Sequence, residues 1–90
     1  MPSVVMYSTH ICPYCVRAEQ LLHRKGVAVE KILIDHQPER MQEMIDLTGR
    51  RTVPQIFIGE THVGGYDDLA ALEMAGQLDA LLATLDTQPR

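Results

Sequence analysis

Two cysteines, Cys12 and Cys15, stand in a C-x-x-C spacing between a short apolar run and a helical pattern. That placement constrains the fold more than any other feature, because it sets both sulfurs where a strand hands over to a helix. Ser3 to Tyr7 is a short, β-branched run ending in Ser8-Thr9, which predicts a first strand. From Pro13 to Lys25 the pattern turns helical: Tyr14, Ala18, Leu21 and Leu22 share one face, Arg17, Gln20 and Arg24 lie opposite, and Gly26 stops it. Val27 to Ile34 suits a second strand, which makes the first half a β-α-β unit with parallel strands and a right-handed crossover.

The second half continues the alternation. Pro38 occupies a first helical position, Met41, Met44 and Ile45 recur at helical spacing, and Gly49 terminates the helix. Ile56-Phe57-Ile58 predicts a third strand, and Gly59-Glu60 turns into a fourth around Thr61 to Val63. A final helical region opens at Gly64-Gly65, carries Asp67-Asp68 in its first turn, is interrupted at Gly76 and is completed by Leu78, Leu81, Leu82 and Leu85. The expected architecture is α/β, a four-stranded mixed sheet with flanking helices in the order βαβ-α-ββ-α. With 90 residues there is room for one domain, spanning 1–90.

Charge narrows the function classes. Eight Lys+Arg against twelve Asp+Glu give a net charge of −4, with no basic tract for nucleic acid or a membrane surface. The longest apolar runs fall far short of the ~18–20 residues of a membrane span. Met1 to Met6 carries no positive flank and no long apolar region, so it does not read as a secretory signal. The expected address is the cytoplasm, where a Cys pair more often means redox catalysis or metal binding than a structural staple.

Zinc needs four ligands, and His10, His23, His36 and His62 are scattered without paired spacing, so they read as surface residues and no metal site is expected. A c-type haem site would need His at position 16, which is Val16. Purely structural cysteines stay open, but the position of the pair in a β-α-β pattern favours redox chemistry. Free N–H groups and aligned peptide dipoles at a helix N-terminus favour negative charge on the first sulfur. Cys12 is therefore expected to be the low-pKa nucleophile, within the ~3.5–7.5 range of such motifs, and the more buried Cys15 the resolving thiol. Lowering a thiol from ~8.5 to ~5 raises its thiolate fraction at pH 7 about thirty-fold. The accompanying loss of nucleophilicity is of similar size, so the net gain lies in departure of Cys12 as a leaving group.

Cys12-Pro13-Tyr14-Cys15, Thr52-Val53-Pro54-Gln55-Ile56-Phe57-Ile58 and Gly64-Gly65-Tyr66-Asp67-Asp68-Leu69, in that order and spacing, resemble the short bacterial dithiol glutaredoxins. The resemblance covers nearly the whole chain. It implies a thioredoxin-like fold and glutathione-dependent reduction of protein disulfides and protein–glutathione mixed disulfides, with glutathione as co-substrate and no tightly bound cofactor. It also implies a cis Val53-Pro54 bond that turns the Val53 backbone toward Cys12, to pair with the cysteinyl part of glutathione as an added strand does. Thr52, Val53 and Pro54 are therefore candidate glutathione contacts, although Pro54 also suits a plain strand entry. Gly65, Tyr66, Asp67 and Asp68 are candidates for the γ-glutamyl end, its carboxylate on backbone N–H groups and its ammonium on Asp67 or Asp68. Helix capping by Asp is compatible with that role. Tyr14 is expected to be exposed and to line the groove.

The chain departs from the family pattern in two places. Thr9 stands where a Lys is usual, and Met41, beside Arg40, where Arg or Gln is often found. Both changes weaken the hold on an anionic ligand, and Arg50 or Arg51 is placed to compensate. Two other functions compete. An iron–sulfur cluster carrier would use Cys12 and glutathione, against which Pro13 argues, since cluster-binding relatives generally carry a small residue there. A thioredoxin-type donor would be recycled directly by a flavoprotein reductase. The expected partners are glutathione and disulfide-containing or glutathionylated proteins, and the expected state is a monomer.

Overall fold

Strand β1 (Val4–Ser8) lies inside the sheet, and its neighbours determine where the C-x-x-C motif sits. In the computed structural model, which describes residues 4–86, it is followed by α1 (Pro13–Arg24), β2 (Val29–Leu33), α2 (Pro38–Thr48), β3 (Gln55–Ile58), β4 (Thr61–Gly64), α3 (Tyr66–Met74) and α4 (Leu78–Asp86). The sheet order is β2-β1-β3-β4. β1 runs parallel to β2 and antiparallel to β3, and β3 and β4 form an antiparallel hairpin. This is the expected mixed sheet. Ser3, assigned to the first strand from sequence, lies outside the described residues.

Alternation along the strands divides the core in two. Val4, Met6, Ile56 and Ile58 pack with Ala18, Leu21 and Leu22 of α1, Leu69 of α3, and Leu78 and Leu82 of α4. Tyr7 joins Ile34 and Met44 of α2 in a second cluster, with Val5 and Phe57 against it. Three helices therefore serve one cluster and α2 the other. The Tyr7 hydroxyl donates to Glu43 of α2. Burial and this carboxylate push the phenol up to about 12, so it remains a donor at all ordinary pH.

One kind of cap moves the start of β2 away from the sequence expectation and produces the expected break at Gly76. At the end of α1, Gly26 N–H donates to His23 O and Val27 N–H to Leu22 O, the paired bonds of a Schellman cap. Val27 is used by the cap, and β2 begins only at Val29. The same pair recurs after α3, where Gly76 N–H meets Glu73 O and Gln77 N–H meets Leu72 O. Gly76 sits at φ +72, a conformation open to glycine at little cost, so the last helical region is two helices.

Candidate functional site

The loop after β1 delivers Cys12 as the N-cap of α1 with Pro13 as its first helical residue. Proline suits that position because its missing N–H would have no intrahelical partner there. Cys12 and Cys15 form a disulfide with Cα atoms 5.2 Å apart. The Cys15 N–H donates to Cys12 Sγ at 3.1 Å, and the first turn of α1 holds no acidic side chain. An N–H donor and an uncontested helix N-terminus thus converge on one sulfur. Cys15 is the more buried of the two, at 3 % exposure against 9 % for Cys12, as the sequence suggests. Around them Ile11, Tyr14 and Val16 are exposed apolar side chains.

A cleft of about 270 Å³ opens beside this motif. Tyr14 borders it from α1, Thr52, Val53 and Pro54 from the segment before β3, and Gly65, Tyr66, Asp67 and Asp68 from the start of α3. The structure thus brings all eight candidate non-cysteine residues to one depression. Neither cysteine lines it, but Val53 and Tyr66 pack against the cluster containing both sulfurs. Tyr14 is exposed and stacks on Tyr66, ring centroids 6.0 Å apart, and the Arg17 guanidinium lies over the Tyr14 ring, 5.6 Å from its centroid. The Val53-Pro54 bond is cis.

The far wall of the cleft is built around Gly64, where φ is +114 and a Cβ would collide with the Asp68 carboxylate. Asp68 reaches back to accept the Gly65 N–H at 2.9 Å, and the N–H groups of the first turn of α3, as at any helix start, have no intrahelical partners. Arg50 Nη1 donates to the same carboxylate oxygen at 3.1 Å. The Gly65 N–H and then Arg50 hold the Asp68 carboxyl below the ordinary carboxylate range. Asp67 is exposed.

Arg50 is the cleft residue absent from the sequence-derived set, which offered it only as a compensating charge. It is paired rather than merely solvated, while Arg51 is exposed and does not border the cleft. Thr9 lies elsewhere, in a shallow depression with His10, Ile11, Asp35 and His36. There Asp35 accepts the His10 backbone N–H at 3.1 Å and meets His10 Nδ1 at 2.7 Å, holding the loop that precedes Cys12. Met41 packs against the Tyr7 cluster, and Arg40 pairs with Glu43. His10, His23 and His36 are exposed as expected, but His62 is half-buried on the Phe57 ring.

Residues 4–63 match the family model described as Glutaredoxin. The chain belongs to the glutaredoxin family. It is 61 % identical over 83 residues to a glutaredoxin of Pseudomonas aeruginosa, covering 92 % of this chain and 99 % of that one. Among solved structures it is similar to a glutaredoxin from Brucella melitensis, 52 % identical with a TM-score of 0.81, covering 93 % of this chain and 91 % of that one. A buckwheat glutaredoxin–glutathione complex is 30 % identical with a TM-score of 0.86, covering 93 % of this chain and 79 % of that one. As a glutaredoxin, the chain is a glutathione-dependent thiol–disulfide oxidoreductase, with the Cys12–Cys15 pair as its redox dithiol. Among the described residues no helix is long and apolar enough to cross a membrane.

Proposed function

We propose that residues 1–90 act as a single cytoplasmic domain, a monomer with no tightly bound cofactor, which binds the glutathionyl group in the cleft beside Tyr14 and divides its chemistry between two thiols. Cys12 thiolate attacks the glutathione sulfur of a mixed disulfide, the S–S bond to the protein substrate breaks, and that substrate leaves as a thiolate. A second glutathione thiolate then attacks the glutathione sulfur bound to Cys12, releasing glutathione disulfide and regenerating the Cys12 thiolate. With a protein disulfide, Cys15 thiolate attacks Cys12 Sγ instead and expels the substrate thiolate, leaving the Cys12–Cys15 disulfide for two glutathiones to reduce.

The observation that carries this reading is the convergence on one cleft of Tyr14, the Thr52 to Pro54 segment and the N-terminus of α3, beside a sulfur capped by a helix N–H. The Val53 backbone would pair with the cysteinyl unit as an added strand does. The free N–H groups of Tyr66 and Asp67 would take the γ-glutamyl carboxylate, and Asp68 or Asp67 its ammonium. The test is turnover of a glutathionylated protein with glutathione as sole reductant. Turnover that requires a thioredoxin-type flavoprotein reductase instead would overturn the glutathione-linked cycle. A visible cluster absorbance after anaerobic reconstitution with glutathione would favour the carrier reading.

A further inference from the structure

Gln55 is wholly buried, yet its side-chain amide needs partners on both ends. Its Nε2 donates to the Thr52 carbonyl at 3.0 Å and to Thr52 Oγ1 at 3.3 Å. Its Oε1 meets His62 Nε2 at 2.8 Å. A carbonyl oxygen can only accept, so turning the amide round would set two oxygens against each other. Gln55 Oε1 therefore faces His62, and His62 Nε2 must carry the hydrogen.

The contact crosses the β3–β4 hairpin diagonally, since the direct partner of His62 is Phe57. The imidazole lies on the Phe57 ring, centroids 5.0 Å apart. Burial, and then the Arg50 cation, push its pKa down, so it is neutral around pH 7 and donates through one fixed N–H. A hydrogen-bonded line thus runs from β4 through a buried amide to Thr52, the first residue of the segment that borders the cleft.

We infer that His62 is a positioning residue for glutathione recognition, holding Gln55 so that Gln55 fixes the backbone of Thr52 and, through it, the edge presented by Val53. The inference rests on reading Thr52 to Pro54 as part of the glutathionyl site. His62 does not border the cleft and contacts neither sulfur, so its loss should act on binding and not on exchange at Cys12. His62→Leu keeps apolar contact with Phe57 and removes the donor, whereas His62→Gln restores an N–H at similar reach.

The expected result for His62→Leu is a KM for a glutathionylated peptide raised about threefold to tenfold, the cost of one net hydrogen bond, with kcat within twofold. His62→Gln should recover most of that rise, and the reaction of the reduced protein with neutral dipyridyl disulfide should be unchanged in both. Equal falls in kcat for both disulfides, or no recovery in His62→Gln, would overturn the positioning role. Imidazole ¹⁵N shifts of the unmodified protein give a second measurement that needs no variant. They should show the Nε2–H tautomer, and an Nδ1–H tautomer would overturn the relay. Backbone amide shifts of Thr52 and Val53 on forming the Cys12–glutathione mixed disulfide in Cys15→Ser separate the two layers. If they do not move, the reading of the site fails and takes the inference with it. If they move while His62→Leu keeps an unaltered KM, only the relay is overturned.

Discussion

Helices α1 and α3 both begin at the same end of the molecule, and their first turns are furnished in opposite ways. At α1 the cap is Cys12, whose sulfur accepts the Cys15 N–H, and no carboxylate is nearby in the turn. At α3 the cap is Gly65, and Asp67 and Asp68 fill the first turn, Asp68 returning to the Gly65 N–H. A charge that must appear and vanish during a reaction gains from a helix terminus with no permanent anion on it. A terminus that holds a fixed carboxylate suits recognition instead, provided something offsets that charge. Arg50, donating to Asp68, supplies the offset, so in the proposed site an incoming carboxylate would meet N–H groups beside a neutralised pair.

The largest break in this contrast is at α1. Cys12→Ser is expected to abolish all turnover, while Cys15→Ser keeps reduction of glutathione mixed disulfides and loses the dithiol route. Assays of both variants on a glutathionylated and a disulfide-bonded substrate check this, and equal loss of both reactions in Cys15→Ser would reverse the division of roles. At α3 the sharpest perturbation is Gly64→Ala, which forces a side chain into a φ of +114 and against Asp68. The expected cost is about 1–3 kcal/mol, visible as a Tm lower by at least about 4 °C together with a raised KM for glutathione.

Asp68→Asn is a smaller change, because the amide oxygen can still accept the Gly65 N–H. Removing a partly exposed charge should raise the KM for glutathione about 1.5- to 5-fold. It should also alter acid stability. The folded-state pKa of Asp68 lies below its ordinary value of 3.8, so its stabilisation is complete above that value and lost as pH falls through the folded one. Denaturation followed between about pH 5 and 2 should be less pH-dependent in Asp68→Asn, with a remaining slope from Asp35, whose carboxyl the His10 contact holds low. The smallest effect is expected for Thr9→Lys, which gives the α1 terminus a cation it lacks. Glutathione binding should tighten by no more than about 1.5- to 5-fold, shrinking as salt rises, while thiolate absorbance shows a lower Cys12 pKa. No change in either measurement would mean that residue 9 faces only its own depression.

Much of this contrast was legible in the residues themselves. The cysteine spacing and Pro13 locate the start of α1, and Gly49 and Gly76 mark real helix ends. The cleft residues came from three motifs in register, since their convergence depends on a topology that local patterns only imply. The Arg50–Asp68 pair spans 18 residues and no periodicity reports it. Gln55 and His62 were equally hidden: both are polar residues in apolar strands, and only the hairpin register shows that one satisfies the other. The apolar Val27 extends the sequence pattern of β2 two residues too far toward the N-terminus, because its N–H belongs to the cap of α1.

The interior position of β1 also governs the order in which the chain can be completed during synthesis. Its parallel neighbour is available by Leu33, but Val4 pairs with Ile58 on its other side. At about 5–20 residues per second, roughly 3–10 s separate translation of those two partners. Throughout that interval one edge of β1 stays unpaired, with Met6 still lacking Ile56, Ile58 and Leu69 of its cluster and Tyr7 still lacking Phe57. The nascent chain therefore carries its reactive thiols and an open strand edge together, before any of the Thr52 to Asp68 wall has been made.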